Sequence, residues 1–263
     1  MTTKDFLLLL FYFYFTMQWL SDKNAPLYPV LKKTYVIGGK NIHFETGKLA
    51  LLANGSVVVS DDDGNMLLVT VGVKEDGVNE KADFFPLVVD YQERFYATGK
   101  IGGNRFQKRE GRPSEASILT SRLIDRPIRP MFPKGFINDV QIIATVLSSS
   151  NESDLGFFGI TGASLGILMS GAPFEGPVSG VRIIKKQDGT FVFDPKFAQV
   201  KETRLSLLVA GTDDAITMVE AEAQEVSDDE MVEALEYAHK LIKDLASAQN
   251  DFIIEYKKIY GES

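Results

Sequence analysis

FFPLVVDYQERFYATGKIGGNRFQKREGRPSEASILTSRLIDRPIRPMFPKGF, residues 84–136, holds a strand, a loop and a helix in one passage. Phe84–Val89 is an apolar strand. Gly99–Gly111 is rich in glycine and basic residues, so it reads as a loop. Ser114 is placed to cap a helix over 114–124, where Ile118, Leu119, Leu123 and Ile124 recur at helical spacing. Pro127 is expected to stop that helix.

Outward from this passage the chain is rich in strands. Residues 34–48 predict two short strands around Gly38-Gly39, and Val57–Val59 with Leu67–Val73 predict a hairpin turning at Asp63-Gly64-Asn65. Val140–Leu147 is a wholly apolar strand. Phe158–Met169 is a buried helix whose Gly162, Ala163, Ser164 and Gly166 permit close packing on a sheet. Val178–Lys185 and Thr190–Phe193 form a second hairpin, and Arg204–Gly211 is a strand with Ala215–Glu222 as its antiparallel mate. Asp228–Tyr256 is a long helix carrying Met231, Leu235, Ala238, Leu241, Ile242 and Leu245 on one face. Runs of strands broken by single helices indicate an α+β fold.

At 263 residues the chain has room for one large or two small domains at ~100–200 residues each. It contains no cysteine, which excludes disulfides, thiol catalysis and cysteine-held metals. Its two histidines, His43 and His239, argue against a histidine metal cluster, and a Ser-His-Asp arrangement would have to use one of them. The net charge is −8, but residues 94–134 carry ten basic side chains against Glu110, Glu115 and Asp125. That window is +7 in a chain otherwise −15, the pattern of an acidic body with one anion-binding stretch.

Within the basic window, residues 99–115 combine three properties. Gly99, Gly102 and Gly103 let a ligand approach the backbone. Lys100, Arg105, Lys108, Arg109 and Arg112 supply charge-assisted donors, and Phe106 offers a ring for stacking. The result is a groove for single-stranded RNA, or else a solvated basic loop. The arginines of residues 121–136 lie among prolines, where they can pair with Asp125 or with phosphates, or brace a rigid connector through carbonyl bonds. Asp213–Glu236 is acidic and reads as a solvated turn and helix face.

The amino terminus stands apart. Phe6–Phe15 is an unbroken apolar run, FLLLLFYFYF, shorter than the ~20 residues that span a bilayer. It is open to reading as a signal peptide, a membrane anchor, a buried element, or sequence preceding a true start at Met17.

Residues 84–136 strongly resemble the first RNase PH-like domain of the polynucleotide phosphorylase family. The most specific runs are EGRPSE (110–115) and SRLIDRPIRPMFP (121–133). The resemblance continues through VQIIATVLS, GASLGILMSGAPF, GPVSGVRI and LLVAGTDDAITMVEAEA, and covers about residues 30–245. It implies an α+β RNase PH-like core, of the ribosomal protein S5 domain 2-like kind, then a smaller β-rich half and a long carboxyl-terminal helix. The expected divisions are an apolar extension (1–29), the two core halves (30–175 and 176–250), and the start of a helical linker (251–263).

The same resemblance implies 3′-to-5′ phosphorolysis of RNA to nucleoside diphosphates in the cytoplasm. Mg2+ and inorganic phosphate take part, in a homotrimeric ring that admits single-stranded RNA through its pore, with no membrane association. This chain corresponds to about the first third of such a protein. Phe106, Lys108, Arg109 and Arg112 match the family's pore loop, and Gln107 stands where a second aromatic or basic residue is expected. Catalysis belongs to the family's second RNase PH-like domain, where two aspartates six residues apart hold the metal and a serine-rich loop holds phosphate. Here Asp194 matches the first aspartate, Val200 stands in place of the second, and NESDLGFFGITGAS lacks the serine run. No catalytic or metal-binding residue is therefore expected in this chain, and Asp194 reads as a turn residue before Pro195. A silent RNA-binding or scaffold subunit of an exosome-like ring is the alternative.

Overall fold

The structure, a computed structural model, describes residues 29–74, 84–102 and 111–261. The apolar run at residues 6–15 lies outside the described residues. Among the described residues, ten strands form two sheets. The first has the order β1-β2-β3-β4-β6-β5, built from β1 (Leu31–Ile37), β2 (Lys40–Thr46), β3 (Gly55–Asp61), β4 (Met66–Val73), β5 (Leu87–Gln92) and β6 (Val140–Ser148). All neighbours are antiparallel except β5 and β6, which run parallel with Leu87 opposite Val140. A parallel pair needs a crossover, and α1 (Glu115–Ile128) supplies it.

The second sheet is antiparallel, β10-β9-β7-β8, from β7 (Ser179–Lys185), β8 (Phe191–Phe193), β9 (Leu205–Gly211) and β10 (Ile216–Ala223). Between the sheets lies α2 (Gly156–Ser170), packed on β3 and β4 on one side and β7 on the other. Thirteen of its fifteen residues are buried, so its sequence is apolar all round rather than on one stripe. Its glycines set the approach. A Cβ on Gly55 of β3 would stand 1.9 Å from the Gly166 carbonyl oxygen, and one on Gly162 would stand 2.6 Å from Val69 Cγ2.

The short α3 (Phe197–Lys201) precedes β9, and α4 (Asp228–Tyr260) closes the molecule. A capping box of Ser227 and Glu230 starts α4, which buries Leu241, Ile242, Leu245 and Phe252 against β1, β7 and β9. Phe252 meets Phe44 edge-on at 5.7 Å. Lys33 Nζ and Tyr35 Oη on β1 both donate to Asp251 Oδ2 of α4, at 2.9 and 2.7 Å.

The α+β class, the hairpins, the buried helix and the long terminal helix match the sequence expectation. Three local expectations need correction. The strand expected at Phe84–Val89 lies at Leu87–Gln92, because Pro86 precedes the ladder and lacks a donor for it. Helix α1 continues through Pro127 to Ile128. The proline falls in its last turn, where the missing N–H removes a single helical bond. Ile118 and Leu119, expected on the buried face, are exposed, while Ser117, Leu123, Ile124, Pro127 and Ile128 face inward.

Candidate nucleic-acid interface

The basic loop leaves the fold after β5. A turn of 3-10 helix (Phe95–Thr98) ends at Gly99, whose φ of 70° is left-handed, and the Lys100 N–H bonds back to the Phe95 carbonyl at 3.0 Å. Glycine is required there because a side chain would be strained. The chain returns at Gly111 and Arg112, and Ser114 caps α1 by accepting the Ser117 N–H at 3.0 Å. Phe106, Lys108 and Arg109 lie outside the described residues. Of the four predicted site residues Arg112 alone is described, and it is exposed at the mouth of a cleft.

That cleft encloses about 690 Å3. Lys100, Arg112, Ser114, Phe95 and Phe197 are among its walls. Arg94 also lines it and donates to the Gln92 side chain at 2.5 Å. Of the carboxylates in the lining, Asp154 accepts from Arg182 at 2.5 Å and Glu93 accepts the Ser117 hydroxyl at 3.5 Å. Sequence analysis did not join Phe197 to this place. It is separated by about half the described chain, and no local pattern connects the two.

The arginines of the proline-rich segment divide by role. Arg129 grips Asp125 in a fork, at 2.7 and 3.0 Å, and donates to the Phe85 and Leu87 carbonyls at 2.9 and 3.0 Å. Its guanidinium therefore joins α1 to the start of β5 and is spent on structure. Arg126 meets Glu220 of β10 at 3.2 Å. Only part of the positive charge counted in sequence is thus available to a ligand.

Asp194 stands in a bend before Pro195, as expected of a turn residue, and does more than turn the chain. It is buried, 2% exposed, with a left-handed φ of 47°, and its Oδ2 accepts from Lys40 Nζ at 2.6 Å. Burial pushes its carboxyl upward from the ordinary carboxylate value, and Lys40 opposes that shift. Oxygens of Asp61, Asp63 and Asp194 come within 4.8 Å of one another. Two observations show that this trio does not fit the divalent metal associated with the fold. The Lys40 ammonium already stands at Asp194 and lies 3.7 Å from Asp63. Asp61 accepts both the backbone and side-chain N–H groups of Asn65, at 2.9 and 2.7 Å. Val200 sits in α3 and offers no ligand atom.

The profile of the 3′ exoribonuclease family, domain 1, matches residues 38–173, more than half of the chain. The chain belongs to the 3′ exoribonuclease family. The profile for domain 2 of the same family matches residues 176–240. Among curated relatives, the polyribonucleotide nucleotidyltransferase of Legionella pneumophila strain Corby is 48% identical over 228 residues, covering 87% of this chain and 31% of the relative. The protein of that name from Geotalea daltonii is 48% identical over 212 residues, covering 81% and 30%. That from Geotalea uraniireducens is 46% identical over 214 residues, covering 81% and 30%. The chain spans under a third of the length of these relatives. They bear out the resemblance carried by EGRPSE and SRLIDRPIRPMFP. Among the described residues no helix is long and apolar enough to cross a membrane.

Proposed function

We propose that this chain serves in 3′-to-5′ phosphorolytic degradation of RNA, a reading supported by its membership of the 3′ exoribonuclease family and by its likeness to polyribonucleotide nucleotidyltransferases, and that its own part is to admit RNA and build the ring. The observation that carries the proposal is the 48% identity across 87% of the chain to such a relative. The relatives favour this reading over a separate silent scaffold subunit. Single-stranded RNA would pass over Phe106, Lys108, Arg109 and Arg112, with phosphates on the cations and bases on the ring. Three copies would gather these loops at one pore. Mg2+ and phosphate would act outside this chain, in keeping with Lys40 beside Asp194 and with Val200 in place of a carboxylate. The working boundary between the core halves is residue 175, supported by the two profiles meeting between 173 and 176. A cytoplasmic location is part of the same proposal.

The loop reading is tested with a labelled oligonucleotide in a fluorescence anisotropy salt series. Lys108→Ala with Arg109→Ala should remove most binding and flatten the salt dependence, because fewer phosphates are neutralised. Phe106→Ala should weaken binding and leave the slope unchanged. An unchanged affinity and slope in the double variant would rule the loop out. In a second assay, the pure chain should release no nucleoside diphosphate from poly(A) with phosphate and magnesium. Release abolished by Asp194→Ala would place the chemistry here after all.

A further inference from the structure

We propose that the cleft beside the amino-terminal turn of α1 is a subsite for one nucleoside monophosphate unit, its phosphate held by Lys100 and Arg112 and its base stacked on Phe197 or Phe95. The inference rests on the RNA reading above for the source of the unit. The chemistry comes from the walls. The volume of about 690 Å3 falls within the ~300–1,000 Å3 of small-molecule sites. Lys100 and Arg112 are exposed, and no carboxylate among the described residues pairs with either. Of the two carboxylates in the lining, Asp154 is paired with Arg182 at 2.5 Å and accepts the Gly156 N–H at 2.8 Å, while Glu93 accepts the Ser117 hydroxyl at 3.5 Å and keeps its charge, one against the two cations. The cleft therefore favours an anion.

Two features point to a nucleotide as that anion. Ser114 and Ser117 bring the first turn of a 14-residue helix to the wall, adding its positive dipole end to the two cations. The rings of Phe95 and Phe197 remain 48% and 43% exposed although both lie in the wall. Exposed phenylalanines beside paired cations suit a base attached to its phosphate better than they suit inorganic phosphate alone.

The test uses AMP labelled on its ribose, similarly labelled adenosine, and a short labelled oligoadenylate, with thermal melts of each variant to confirm the fold. Lys100→Ala with Arg112→Ala should weaken AMP about tenfold or more and leave adenosine unchanged. Phe197→Ala should weaken both about tenfold, the scale of one lost stacking contact, and Phe197→Tyr should restore them. Oligoadenylate displacing AMP identifies the unit as part of an RNA strand, whereas displacement by unlabelled AMP alone identifies a free mononucleotide. Either result supports the site. Equal binding of AMP and adenosine by the parent chain, or AMP affinity unmoved in the cleft variants, overturns it. If the cleft variants are silent while the Lys108 and Arg109 pair still governs oligonucleotide binding, this subsite fails and the loop reading stands. If AMP binds as expected but no oligonucleotide does, the loop reading fails and the subsite stands.

Discussion

At the scale of single residues, identical side chains in one basic window do different work. Arg129 satisfies two carbonyls and a carboxylate, while Arg112, seventeen positions earlier in the sequence, is exposed at a cleft. A lysine at 129 could not span the Phe85 and Leu87 carbonyls and the fork of Asp125 together. Arg129→Ala should lower stability by roughly 1–3 kcal/mol, because hydrogen bonds from a charged group to Asp125 and to the Phe85 and Leu87 carbonyls are lost. It should leave RNA affinity and its salt slope unchanged. Urea unfolding and anisotropy on the same preparation check both halves, and a flattened salt slope would return Arg129 to the phosphate contacts.

At the scale of elements, the position of α2 between the sheets depends on what β3 and α2 lack. Gly55 has an ordinary φ, so its requirement is steric: backbone oxygen of Gly166 occupies the space a Cβ would need. Gly55→Ala should cost about 1–3 kcal/mol through overpacking against a rigid helix. Gly72, on the adjacent strand β4, has nothing within 4 Å of a built Cβ and is the control. Gly72→Ala should change the thermal midpoint little, and an equal loss in both variants would refute close packing as the cause. The cap of α1 is separable from both. Ser114→Ala should cost ~1 kcal/mol, since the Ser117 N–H loses its acceptor.

At the scale of the whole molecule, the carboxyl-terminal helix is tied to the first strand by charge and to the second by Phe252 against Phe44. Asp251 is held below the ordinary carboxylate value by hydrogen bonds from Tyr35 and Lys33. A group lowered by folding contributes stability above its unfolded pKa and loses it as pH falls through the folded one. Asp194 has the opposite sign. Its raised value gives a contribution present below the unfolded pKa and lost as pH rises through the folded one. Glu230 and Glu255 are lowered alongside Asp251, so the lowered carboxyls outnumber Asp194. Thermal stability should therefore fall on acidification below the ordinary carboxylate range. Tyr35→Phe removes the first donor to Asp251 and should make that fall shallower. A midpoint insensitive to acid in the parent would show that this clamp contributes nothing.

Local signals were legible because they rest on local physics. Ser114 reads as a cap from its place before an apolar pattern, Gly38-Gly39 as a turn from its backbone freedom, and α2 as buried from an apolar run too continuous for a surface helix. EGRPSE and SRLIDRPIRPMFP carried the family. Three decisions were made only by the tertiary fold. Sequence periodicity gave Ile118 and Leu119 to the core, but a helix is buried only where another element meets it, and β5 and α2 meet the other side of α1. Asp194 reads as a turn residue and stands in a bend, but its bond to Lys40, 154 positions away on the β1–β2 hairpin, comes from the tertiary fold. Phe197 became part of a cleft because α3 folds beside a loop nearly a hundred residues earlier in the chain. Composition and spacing determine which groups a chain has and how each stretch folds. Which cations meet carboxylates and which are left for a ligand depends on long-range contacts, and these form only when the sheets and helices close on one another.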